Sequence, residues 1–158
     1  MVRGDQQRTL VTKLIQAYEW FDDALIEWMR AHGSTELTRS SSMIFSYLDP
    51  QGSRPSDLAR HIGISRQAVH KTLAEMAEIG LVELVPDPDD HRAKIVMLTS
   101  RGREWVDLAR RVLSDLEHEL EARIGSELMA GLQGALAVDW GESPSAMLED
   151  IDQDPERK

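Results

Sequence analysis

Four side chains able to donate hydrogen bonds, Arg66, Gln67, His70 and Lys71, fall in a short stretch where Val69, Leu73 and Met76 recur at helical spacing. At about 100° per residue, with that apolar stripe turned inward, Gln67, Lys71, Ala74 and Glu78 face outward. The donors occupy the first half of this helix and the acids Glu75 and Glu78 the second, so only the amino-terminal half suits a polyanion. A glutamine matches the two-pronged edge of adenine, and Arg66 or Lys71 suits guanine or a phosphate. A further cation, Arg92, lies in the stretch Pro-Asp-Pro-Asp-Asp-His-Arg-Ala at 86–93, which is too polar for core and reads as an exposed loop between two strands. An arginine at a hairpin tip can enter a minor groove. Asp90 is placed to orient it by an ion pair, and with Lys94 to support the loop. Upstream, Arg54 and Ser56 open another helical segment, where free N–H groups and the helix dipole favour a phosphate. Together these residues describe recognition of a nucleic-acid duplex. The competing reading is a solvated polar face without a ligand.

Taken over the whole 158-residue chain, a net charge of −10 opposes that chemistry. The acid is concentrated at the ends: residues 54–103 carry +1, residues 1–53 carry −2 and residues 104–158 carry −9. A near-neutral segment with clustered arginines on an acidic scaffold suits a protein that binds DNA selectively rather than coating it. Catalytic chemistry finds no support. The histidines 32, 61, 70, 91 and 118 show no i,i+4 pairing, and no Ser-His-acid or Walker-like motif accompanies them. Cysteine is absent, which excludes thiolate zinc sites, iron–sulfur clusters and thiol switching. No cofactor is expected. Nor does any run approach the roughly 20 apolar residues of a membrane span, and the first ten residues lack a signal-peptide core, so a cytoplasmic location is the expectation.

The elements that must hold these donors are legible from punctuation and periodicity. Two compact helices, 55–62 and 65–79, are separated only by Gly63 and Ile64. Pro55 suits a first helical position, Ser65 an N-cap, and Gly80 a left-handed helix end. Ala59, Gly63 and Val69 stand where a helix-turn-helix needs a small residue at the crossing, a positive φ in the turn and a compact buried residue. Strands are expected at 81–85 and 94–98. Around this core, an amphipathic helix spans 6–32 with a second apolar face marked by Trp20, and a shorter one spans 39–48. A long helix follows Thr99, with Trp105, Leu108, Val112, Leu116, Leu120 and Ile124 at three-to-four spacing, and a last one carries Leu128, Met129, Leu132 and Leu136. The acidic stretch 141–158 reads as a mobile tail. The fold class is therefore mainly α with a small β-hairpin wing. One domain, 1–140, contains a winged helix-turn-helix at about 37–99, flanked by dimerisation helices at 6–32 and 100–140. Those flanking helices hold more apolar surface than one winged domain covers, which predicts a homodimer packed through Leu14, Phe21, Leu116, Leu120, Leu132 and Leu136.

The run from Pro55 to Gly102 resembles the MarR family of prokaryotic regulators, above all in its Asp-Pro-x-Asp-x-Arg-Ala wing at 87–93 and the Leu-Thr-x-x-Gly at 98–102. The resemblance implies a triangular homodimer reading a pseudo-palindromic duplex of inverted half-sites. It puts Ser65, Arg66, Gln67, His70 and Lys71 in the major groove and Arg92 in the minor groove. It also implies a transcription regulator, commonly a repressor, that releases DNA when a small aromatic or phenolic effector binds between the dimer helices and the winged domain. Trp20, Met43 and Tyr47 are the candidates to line that pocket, against the plainer reading that they are core. This chain departs from many members in having His91 and Leu84 where arginine is common. The alternative function is a winged-helix module that binds protein, and the reading excludes an enzyme.

Overall fold

The computed structural model describes residues 9–33, 38–90 and 92–141. Along them run α1 (Leu10–Ala31), α2 (Arg39–Tyr47), α3 (Pro55–Ile62), α4 (Arg66–Glu78), β1 (Val82–Pro86), β2 (Lys94–Leu98), α5 (Ser100–Ile124) and α6 (Ser126–Ala137). Two compact units divide within α5, one ending at Glu117 and the other beginning at His118. The start of the first helix expected at 6–8, His91, and the acidic tail from 142 onward lie outside the described residues.

In the first unit α2, α3, α4 and the hairpin enclose a core of Ile44, Leu58, Ala59, Val69, Leu73, Met76, Val82 and Val96. Each large apolar side chain so buried contributes about 1.5–3 kcal/mol, enough to override the weak intrinsic preferences of short helices. A neighbouring cluster packs Leu25, Ile26 and Met29 of α1 against Ala109 and Val112 of α5, and Phe45 of α2 touches both clusters. Local chemistry sets the boundaries. Thr38 and Ser41 cap α2 reciprocally, the Ser41 amide donating to Thr38 Oγ1 and the Thr38 amide to Ser41 Oγ. Arg39 ties the start of α2 to α1, its guanidinium meeting Glu19, Asp23 and the buried Asp22. Burial and the nearby Asp22 raise the Tyr18 phenol above its ordinary value.

The antiparallel hairpin pairs Val82 with Leu98 and Pro86 with Lys94. Its first strand sits one residue later than the sequence suggested, because Leu81 is spent closing α4: the Leu81 amide donates to Met76 O and the Gly80 amide to Ala77 O, with Gly80 at φ 71°. Ser53, just before α3, exchanges two backbone hydrogen bonds with Val96, extending the sheet by one bridge. The α5 start is bound to the end of α4: Thr99 Oγ1 donates to Gly80 O at 2.6 Å and accepts from the Gly102 amide at 3.0 Å. Gly102 is buried so tightly there that a Cβ would lie 1.9 Å from Leu81 O. The second unit holds the end of α5, the Gly125 break and α6, whose Leu128, Leu132 and Leu136 are exposed. Among the described residues no helix is long and apolar enough to cross a membrane.

Candidate nucleic-acid interface

Gly63 takes a left-handed φ of 76° and lets α3 turn directly into α4, with Ala59 and Val69 buried where the helices cross. Ser65 caps α4 as expected, its Oγ accepting from the Ala68 amide at 3.1 Å. Val69, Thr72, Leu73 and Met76 are buried, which leaves Ser65, Arg66, Gln67, His70 and Lys71 exposed along the first half of α4. Lys71 reaches back to Glu75 at 3.8 Å, an exposed i,i+4 pair of the kind that holds a side chain loosely. Arg66 edges a shallow hollow shared with Ser56, Asp57, Ala59, Arg60 and Ile64, so the start of α3 and the start of α4 open on one surface. Ser56 is exposed there.

The wing differs in detail from the sequence expectation. Asp90 does not pair with the Arg92 side chain: its Oδ1 accepts from the Arg92 backbone amide at 3.0 Å, and its carbonyl accepts from the Ala93 amide. An aspartate bonding two residues ahead closes a local turn at lower entropic cost than a long ion pair. Arg92 is exposed, and no ion pair forms to it among the described residues. Lys94 opens β2 opposite Pro86 and is exposed, as is Leu84 on β1. Arg54, expected at a phosphate, is paired with Asp87 in the structure. Its Nε and Nη2 both lie 2.6 Å from Asp87 Oδ2, and the Asp87 carboxylate is buried. The Asp89 amide and the Arg54 guanidinium hold the Asp87 carboxyl below the usual carboxylate range. Two more cations prove structural: Arg101 donates to Ile79 O and Arg103 to Leu98 O. Distance in sequence hid the first of these, since 22 residues separate Arg101 from its acceptor.

Trp20, Met43 and Tyr47 have different surroundings in the structure. Trp20 packs edge-on against Phe21, Met43 is half-buried, and Tyr47 is exposed and stacks over His61 beside the cleft next to the wing. The reason is helical phase. Met43 and Tyr47 lie about 200° round α2 from Phe45, and it is the Phe45 side that faces α1 and α5. The apolar cleft there has a volume of about 370 Å³ and is lined by Leu25, Ser42, Phe45, Ser46, Trp105 and Ala109, with Arg110 at its rim. Within this lining Phe45 stacks on Trp105, with ring centroids 4.6 Å apart. Sequence reasoning placed Trp105 on an apolar stripe but gave Phe45 no role, although a lone phenylalanine two residues before Tyr47 was the available signal. Of the expected dimer residues, Leu14, Phe21, Leu116 and Leu120 are half-buried, while Leu132 and Leu136 are exposed.

The model of the MarR family matches residues 35–93. Over 72 residues the chain is 29% identical to YdgJ of Bacillus subtilis, an HTH-type transcriptional regulator, and over 60 residues 38% identical to the transcriptional activatory protein BadR of Rhodopseudomonas palustris. These matches span 46% and 37% of this chain, and 44% and 34% of the length of those relatives. Among solved structures, the transcriptional repressor CouR bound to a 23-mer DNA duplex superposes with a TM-score of 0.69 at 23% identity, covering 87% of this chain and 96% of that one. CouR from Rhodococcus jostii bound to p-coumaroyl-CoA superposes with a TM-score of 0.64 at 19% identity, covering 84% and 95%. At such identities the superpositions establish a common fold.

Proposed function

We propose, for a chain whose residues 35–93 are a MarR-family segment, that it is a homodimeric regulator which reads inverted half-sites in duplex DNA and is released by a small aromatic effector. The observation that carries this reading is the exposed first half of α4, where Arg66, Gln67, His70 and Lys71 project beside the end of α3. No fold requirement explains that donor row. Recognition helices dock with base contacts near their amino terminus, which is the half that is cationic here. Arg92 at the wing tip supplies the minor-groove contact, Ser56 a phosphate contact, and Asp90 shapes the tip through its turn rather than through the guanidinium. Relatives include both a repressor and an activatory protein; repression is the reading we adopt, since a duplex occupied without effector blocks access.

Dimerisation is supported by exposed apolar side chains on two helices, Leu10, Val11 and Ile15 on α1 and Leu128, Leu132 and Leu136 on α6. Such spacing on one helix face is costly in water and is covered by a second copy at little entropic expense. The effector site moves from the expected residues to the cleft of Phe45 and Trp105, whose volume and aromatic walls suit a single aromatic ring. A titration of duplex affinity against salt tests the DNA reading. Binding through about six phosphates should weaken on the order of 10³-fold between roughly 50 and 200 mM salt. A flat response would instead favour a protein-binding winged helix, to which exposed Asp89 and Asp90 at the wing would be better suited than to a phosphate backbone.

A further inference from the structure

Three consecutive residues before α3 hold the hairpin in different ways. Gly52, at φ 103°, packs so closely that a Cβ would lie 2.9 Å from Ile95 Cδ1. Ser53 binds the backbone of Val96 in both directions, at 3.0 and 2.8 Å. Both of these grip β2. Arg54 reaches past the strands to the loop that carries Arg92: its two nitrogens converge on Asp87 Oδ2, while Asp87 Oδ1 accepts from the Asp89 amide at 2.9 Å and the Asp87 amide donates to Ala93 O at 3.1 Å. Through its carboxylate and its backbone amide, Asp87 thus joins the N-cap of α3 to both arms of the wing loop. Arg54 is that N-cap residue and offers α3 no side-chain cap, so its guanidinium is committed to the wing instead.

We propose that Arg54 and Asp87 form a latch that fixes the wing loop relative to α3 and α4, making both positioning residues for DNA reading and neither a DNA contact. The proposal rests on the DNA-binding reading above. A phosphate approaching Arg54 would have to displace a buried carboxylate held by two charge-assisted bonds. What the pair supplies is order in advance: a loop already set spends less conformational entropy when Arg92 enters a groove. Charge alone makes the opposite prediction for Asp87, because removing an anion beside DNA should tighten binding.

The test uses the full chain with Arg54→Gln, Asp87→Asn and the double variant. Asparagine keeps a carbonyl acceptor for the Asp89 amide, so it removes the ion pair and spares the turn. Amide hydrogen exchange at Asp87, Asp89 and Ala93 is measured without DNA, and affinity is measured on a duplex selected from a random pool. Expected are about tenfold faster exchange and about tenfold weaker binding in each single variant, with the double variant no worse than either, as two partners of one interaction behave. Unchanged exchange in both single variants would overturn the latch. So would Asp87→Asn binding as tightly as the parent while Arg54→Gln binds weakly, which would make Arg54 a phosphate contact. If the parent selects no duplex, the DNA reading fails on its own, and the exchange rates still decide whether the pair orders the loop.

Discussion

Asp87 receives the Asp89 amide and the Arg54 guanidinium on one buried carboxylate; the ion pair with Arg54 needs its charge, and the amide bond is strengthened by it. Its folded-state pKa is lowered by those same groups, first the Asp89 amide and then Arg54. A depressed carboxyl stabilises the fold above its unfolded value, near 4, and that contribution disappears as pH falls through the lowered folded value. Comparison of the parent with Asp87→Asn isolates it: the difference in thermal midpoint should stay constant from neutral pH to about pH 5, then shrink under stronger acid. A difference that persists undiminished at low pH would show that shape, not charge, matters at this position. The donors of α4 were legible one residue at a time because helix phase alone exposes them. The partner of Arg54 was not, since an ion pair bridging two separate elements leaves no local spacing to read, and a helix start is an equally good reason for an arginine there.

Elements were recovered wherever a local signal coincided with burial. Pro55, Gly63, Ser65 and Gly80 each mark a boundary that the backbone adopts, and β2 occupies the expected residues. The rotation of α2 was not recoverable, because a nine-residue helix carrying four serines has an ambiguous apolar face; which of Phe45 or Tyr47 turns inward depends on α1 and α5. Two predictions belong here. Gly102→Ala forces a methyl group into the Leu81 carbonyl, and should destabilise the chain by about 3 kcal/mol or more through displacement of α5 from the end of α4. Thermal unfolding measures this, and a midpoint equal to the parent's would mean that α5 shifts freely. Ser46→Trp, at an exposed position lining the cleft between α1, α2 and α5, fills that cleft. It should leave duplex affinity within about twofold while abolishing release by any aromatic compound that dissociates the parent complex; retained release would place the effector elsewhere.

For the molecule as a whole, reading inverted half-sites requires two recognition helices held at a set distance. Leu132→Glu with Leu136→Glu places charge on the exposed face of α6 and should convert a micromolar dimer into monomer by sedimentation, with the loss of tight binding to paired half-sites. A variant that remains dimeric would remove α6 from the interface. The general architecture was readable at this scale because a hairpin, a helix pair and long flanking helices leave few ways to bury their apolar faces. The identity of any effector or operator was not, since recognition of either depends on side-chain shape across surfaces that no single element defines. Sequence-specific reading of DNA by α4 and the wing is tested by selection of duplexes from a random pool, followed by the affinity of Lys71→Ala and Arg92→Ala for the selected site. Such reading should yield an inverted repeat with half-site centres about one helical turn, ~34 Å, or a multiple of it apart, and weaker binding by both variants with their folds intact. Enrichment of no common sequence, or affinity unchanged in both variants, would contradict it.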